Sequence, residues 1–99
     1  MTIKLINRGE TGELILTGRL DSTTADDAGE VFQKTAERFE RIVLNFSELQ
    51  YISSAGLRQL KLLYMTMQRK DGTLVLRNAN EMVTEVLEMS GFITMFKVE

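Results

Sequence analysis

Hydrophobic positions along the chain change period from segment to segment, and each change marks an element. Residues 2–8 carry Ile3, Leu5 and Ile6, the pattern of a short strand. Gly9-Glu10-Thr11-Gly12 breaks the run, and Leu14, Ile15 and Leu16 begin a second strand that reaches Gly18. Two short apolar runs around a glycine-containing loop predict an antiparallel hairpin. Across residues 22–39 the period becomes helical, with Ala25, Ala28, Phe32, Ala36 and Phe39 on one face. Ser22, Thr23 or Thr24 can cap its start, and Asp26, Asp27 and Glu30 suit the positive end of the macrodipole.

Ile42-Val43-Leu44 is a continuous apolar run, as in a strand covered on both faces and paired in parallel. Asn45–Gln50 reads as loop and Tyr51-Ile52 as a short apolar step. Ser53-Ser54-Ala55-Gly56 opens a second helix carrying Leu57, Leu60, Tyr64 and Met67, which Asp71-Gly72 ends. Thr73–Arg77 is a strand around Leu74-Val75-Leu76. Asn80 begins a third helix with Val83, Val86, Leu87 and Ser90 on one side, stopped at Gly91, and Phe92–Val98 reads as a last strand. Strands and helices alternate after the hairpin, which implies parallel crossovers. The expectation is one α/β domain over residues 1–99: a mixed sheet, antiparallel at the hairpin and parallel afterwards, packed with about three helices.

Composition narrows the chemistry. Hydrophobic residues make up 43% and charged residues 26% of the 99, the balance of an ordinary globular domain. The net charge of −2 lacks the positive field of a general nucleic-acid binder. With no His there is no Ser-His-Asp triad, and with no Cys there is no thiol nucleophile, thiolate zinc or disulfide. A small disulfide-free domain suits a reducing compartment. The N-terminal residues are too polar for a signal peptide, and no stretch approaches a membrane helix. Cytoplasmic location without membrane insertion is the expectation.

Ser53 and Ser54 carry the most suggestive chemistry. They sit where a short apolar step turns into a helix, so the N–H groups of the first turn favour an anion there. An N-cap role and a modification or anion site both fit these residue types. A nucleophile elbow does not fit, because G-x-S-x-G is missing and no His can serve as base. The Gly9/Gly12 turn lacks the Lys-Ser/Thr pair of a P-loop. Asp26, Asp27 and Glu30 read as a solvated helical turn rather than a metal site, so neither cofactor nor metal is expected. Arg58, Lys61, Arg69 and Lys70 make the outer side of the second helix basic, as either a solvated face or a docking surface for an acidic partner. Met65 lies on that side, where a flexible thioether suits adaptable contacts, and the other methionines are expected in the core or at the initiator position.

The run Tyr51-Ile52-Ser53-Ser54-Ala55-Gly56-Leu57-Arg58 resembles the signature of STAS domains, named from sulfate transporters and anti-sigma factor antagonists. Gly18-Arg19-Leu20-Asp21 with Thr24-Ala25 resembles the family's G-x-L-D segment. Ile42–Phe46 with Leu49 resembles its central strand and loop, and Met89-Ser90-Gly91-Phe92 the turn before its last strand. The resemblance implies a non-enzymatic, phosphorylation-controlled protein-binding switch. Its partners would be an anti-sigma factor that is also a serine kinase, and a serine phosphatase that resets it. It places the phosphoacceptor at Ser54, two residues before Gly56. Ser53 stands where such antagonists typically carry Asp, which makes it the alternate acceptor. Asp21, Ser53, Ala55, Gly56, Leu57, Arg58 and Met65 are the expected partner-binding residues, with Asp21 and Ser54 at the same edge of the sheet. Two other readings stand beside this one: a STAS subunit docking on the ATPase of a transporter or lipid-transport complex, and a domain binding a nucleotide or anion.

Overall fold

The computed structural model describes all residues, Met1–Glu99. The hairpin forms as expected: β1 (Thr2–Arg8) pairs antiparallel with β2 (Thr11–Leu20). The chain continues through α1 (Ala25–Arg38), β3 (Arg41–Ile52), α2 (Ser54–Arg69), β4 (Thr73–Arg77) and α3 (Glu81–Met89). A short 3-10 helix, Phe92–Met95, leads into β5 (Lys97–Val98). The five strands lie in sequence order, with β2, β3, β4 and β5 parallel.

That order decides where the helices go. A parallel crossover is right-handed in nearly all proteins, so three crossovers stepping the same way across a sheet deliver all three helices to one face. The core has this form. Leu14, Leu16, Ile42, Leu44, Leu74 and Leu76 face Phe32 and Ala36 of α1, Leu60, Leu63 and Met67 of α2, and Val83 and Leu87 of α3 in one cluster. Val43 and Val75 are buried as well, yet lie outside it on the opposite face. The apolar run at Ile42–Leu44 is thus parallel as expected, but its second face is covered by polar and charged side chains instead of helices.

Two other expectations are corrected. Asn45–Gln50 is not loop, because β3 runs unbroken from Arg41 to Ile52. Its pairing with β2 shifts register between Ile15 and Thr17 and again between Gly18 and Arg19. Each bulge puts an extra β3 residue into the ladder and re-aims the side chains. Phe46, Leu49 and Ile52 therefore reach the same core at a spacing of three, which hides the strand from an alternation test. Phe92–Val98 is not one strand either. Gly91 adopts φ 79°, and the following apolar residues pair up as Phe92-Ile93 and Met95-Phe96, a spacing that a 3-10 turn brings onto the core.

The methionines and one lysine also depart from expectation. Only Met67 is fully buried, whereas Met82 and Met89 are exposed on the short α3, whose inner face holds Val83 and Leu87. Lys70 is turned inward, donating to the carbonyls of Ala36 and Phe39 at the C-terminus of α1.

Candidate functional site

The C-terminal edge of β2 and β3 brings the two signature segments together. Leu20 stands opposite Ile52 in the parallel ladder, and the Leu20 carbonyl accepts from the Ser53 N–H at 2.9 Å. Asp21 and the serines thus leave the sheet side by side, as an α/β crossover edge requires.

The corner after β2 is built by side-chain hydrogen bonds. Asp21 Oδ1 accepts from the Thr23 N–H at 3.0 Å and from Thr23 Oγ1 at 2.7 Å. Thr24 Oγ1 accepts from the Asp21 N–H at 3.0 Å and donates to the Arg19 carbonyl at 2.9 Å. Thr24 thereby occupies the N-cap of α1 without a capping hydrogen bond to the helix. Arg19 Nε lies 3.7 Å from Asp21 Oδ2, and its guanidinium sits 4.3 Å from the centroid of the Tyr51 ring. These partners, Thr23 first, hold the Asp21 carboxyl below the usual carboxylate range. The contributions of Arg19, Tyr51 and Thr23 were absent from the sequence reading. The signal available for Arg19 was its spacing of two from Asp21, which puts both on one side of an extended segment.

The serines divide two tasks. Ser53 is the N-cap of α2: it is extended, half-buried, and its Oγ accepts from the Gly56 N–H at 3.4 Å. Ser54, the first helical residue, is exposed, and its hydroxyl makes no hydrogen bond within the protein. Its own N–H and that of Ala55 belong to the first turn, where a helix has no internal acceptors. Gly56 is buried against the chain's own backbone. A Cβ there would lie 2.9 Å from the Leu20 carbonyl oxygen and 2.7 Å from Leu20 Cγ. Leu57 packs against the edge of the core, Arg58 is exposed one turn beyond Ser54, and Met65 is exposed further along α2.

Beside Ser54 a shallow groove of about 280 Å³ runs between α1 and α2, bordered by Ser22, Asp26, Ala55, Arg58, Gln59 and Leu62. It offers one acid, one base and a few small residues, which is a surface for another macromolecule more than a ligand chamber. A larger concavity of about 360 Å³ lies at the other end of α2, against Tyr64, Met67 and Phe96. No group of three or more Asp or Glu side chains gathers in a metal-holding arrangement, and Asp26, Asp27 and Glu30 do not converge. No helix is long and apolar enough to cross a membrane.

A five-stranded mixed sheet with three helices on one face and a serine-capped helix at its C-terminal edge defines a protein class. The chain belongs to the STAS domain family, whose model matches residues 3–99. Among individual proteins it is similar to BtrV of Bordetella bronchiseptica, provisionally named an anti-sigma factor antagonist. The two are 37% identical over 84 residues, 84% of this chain and 72% of that protein. The fold is also that of the anti-sigma factor antagonist SpoIIAA in its unphosphorylated form, at a TM-score of 0.86 and 19% identity, covering 99% of this chain and 88% of that one. The phosphorylated form of Bacillus SpoIIAA gives 0.78. A sulfate transporter family protein from Wolinella succinogenes shares the fold at 0.79 and 17% identity, covering 96% of this chain and 80% of that one.

Proposed function

We propose that this domain is an anti-sigma factor antagonist in the cytoplasm, a binding module and not an enzyme, whose partner is an anti-sigma factor with serine-kinase activity. In this reading Ser54 is the phosphoacceptor and a phosphatase restores it. The observation that carries the reading is the unequal state of two adjacent serines: the Ser53 hydroxyl is engaged as the helix cap, while the Ser54 hydroxyl is exposed and unengaged. The likeness to BtrV supports the partner class.

The switch follows from charge. Phosphate on Ser54 adds about −1.5 to −2 charges at an exposed helix start, which tolerates an anion without refolding. The same dianion pressed into a partner's packed surface must be desolvated or find cations, and otherwise expels the partner. Asp21, the Ala55 edge, Leu57, Arg58 and Met65 are proposed to surround that contact, with Gly56 beneath it as a spacer.

The test has two parts. Mass spectrometry of the protein isolated from its own cells should find phosphate on Ser54; phosphate on Ser53 alone would reassign the acceptor. In calorimetry against the partner kinase, Ser54→Ala should bind as the unmodified protein does, and Ser54→Asp should bind at least about 100-fold more weakly. Equal affinities would defeat the proposal. Absence of phosphate, together with binding to a transporter ATPase, would favour the transporter reading. A shift on titration with ATP or GTP would favour the nucleotide reading.

A further inference from the structure

The face of the sheet turned away from the helices has no covering element in this chain. It carries Lys4 and Arg8 from β1, Arg19 from β2, Arg41 from β3, Arg77 from β4 and Lys97 from β5, against three acids, Glu13, Glu48 and Glu99. The face is therefore net +3 on a molecule of net −2. Glu13 is buried between Arg8 Nε at 2.9 Å and Asn45 Nδ2 at 3.0 Å, with Arg77 at 4.0 Å. Glu99 bridges Arg41 at 2.9 Å and Arg77 at 2.7 Å. Two carboxylates thus serve three guanidiniums, and neither Lys4 nor Lys97 has an ion-pair partner. Half-exposed Ile15 of β2 lies between the lysines, with half-exposed Ile6 beside Lys4 on β1, and Val43 and Val75 are buried in the strands between.

We propose that this face docks an acidic amphipathic helix of a partner protein, separately from the Ser54 edge. Parallel strands are ordinarily covered on both faces. Lys4 and Lys97 stand four strand spacings apart, roughly 19 Å. A helix with its side chains is roughly 10–12 Å wide, so one lying along β2 and β3 fits between them. Its apolar stripe meets Ile6 and Ile15, and its flanking carboxylates meet the two unpaired ammonium groups. The one aromatic ring on this face, Tyr51, is already covered by the Arg19 guanidinium at 4.3 Å, so no free platform is left for stacking nucleic-acid bases.

The test is a titration of the isotope-labelled protein, followed by amide NMR shifts. The probe is a synthetic helix of about 18 residues with a leucine stripe flanked by glutamates, about 27 Å long. The control peptide carries lysines in place of the glutamates. Shifts should gather at Ile6, Ile15, Val43 and Lys97 for the glutamate peptide alone, and weaken from about 50 to about 300 mM salt. The double variant Lys4→Glu, Lys97→Glu alters two exposed side chains and should keep its thermal melt while losing about ten-fold or more in affinity. Ser54→Asp should leave this titration unchanged, so failure here and failure of the phosphorylation switch are told apart. Equal binding of the lysine peptide, shifts confined to the Ser54 edge, or no shift at millimolar peptide would overturn the proposal. So would capture by phosphatidylserine vesicles or poly(U) without any response to the peptide.

Discussion

At the scale of single residues, the site rests on two neighbouring serines with one backbone geometry between them. Ser53 turns its hydroxyl inward to cap, so the next side chain is delivered outward. An anion at that first helical position is favoured by about 0.3–1 kcal/mol. Ser54→Asp should therefore match or slightly exceed the native protein in a urea melt, even while partner binding is lost. A melt lowered along with binding would mean that the substitution acts through the fold. Gly56 makes the opposite kind of prediction. Gly56→Ala gains up to about 1 kcal/mol of helix propensity but forces a methyl against the Leu20 carbonyl, an overlap of a class that costs about 1–3 kcal/mol. The overlap should win, giving a net loss of about 1–2 kcal/mol in denaturant unfolding.

At the scale of elements, what a sequence discloses depends on the range of the interactions that form each piece. Helices α1, α2 and α3 were legible because their apolar faces repeat locally and because Ser53 and Asn80 are cap-type residues. The meeting of Asp21 with the serines was legible from the rule for parallel crossover edges. The second half of β3 was not, because bulges against β2 set its side-chain spacing, and the strand alone does not reveal the partner's register. The 3-10 turn at Phe92–Met95 was hidden for a similar reason: its shape answers to the core beneath it. The bridge of Arg41 to Glu99 spans 58 positions and leaves no local signature. Asn80 links two of these levels. Its Oδ1 caps α3 at the Val83 N–H, 2.8 Å away, and its Nδ2 donates to the Leu49 carbonyl of the bulged β3 segment at 3.0 Å. Asn80→Ala should cost about 1–2 kcal/mol, read by thermal unfolding, whereas Asn80→Asp keeps the cap and should lose less.

At the scale of the whole molecule, acid response follows from three carboxylates held below their usual range. Glu13 is held there chiefly by Asn45, Asp21 by Thr23 and Glu99 by Arg77. A group whose pKa is lower folded than unfolded gives stability that is present above the unfolded value and lost as pH falls through the folded one. With no His in the chain, little titrates between about pH 5 and pH 8. The melting temperature should be level there and fall below about pH 4. Glu13→Gln should lower the unfolding free energy in the level region by about 1–2 kcal/mol and flatten the acid limb. An unchanged limb would remove Glu13 from the account. The strand arrangement has a consequence for synthesis. Every strand lies beside the one translated just before it. A nascent polypeptide can therefore lay down its sheet in the order in which the ribosome releases it, each new segment adding to an edge already made. The outer edge of β1 stays as it was first made, so only the opposite border advances as the chain lengthens.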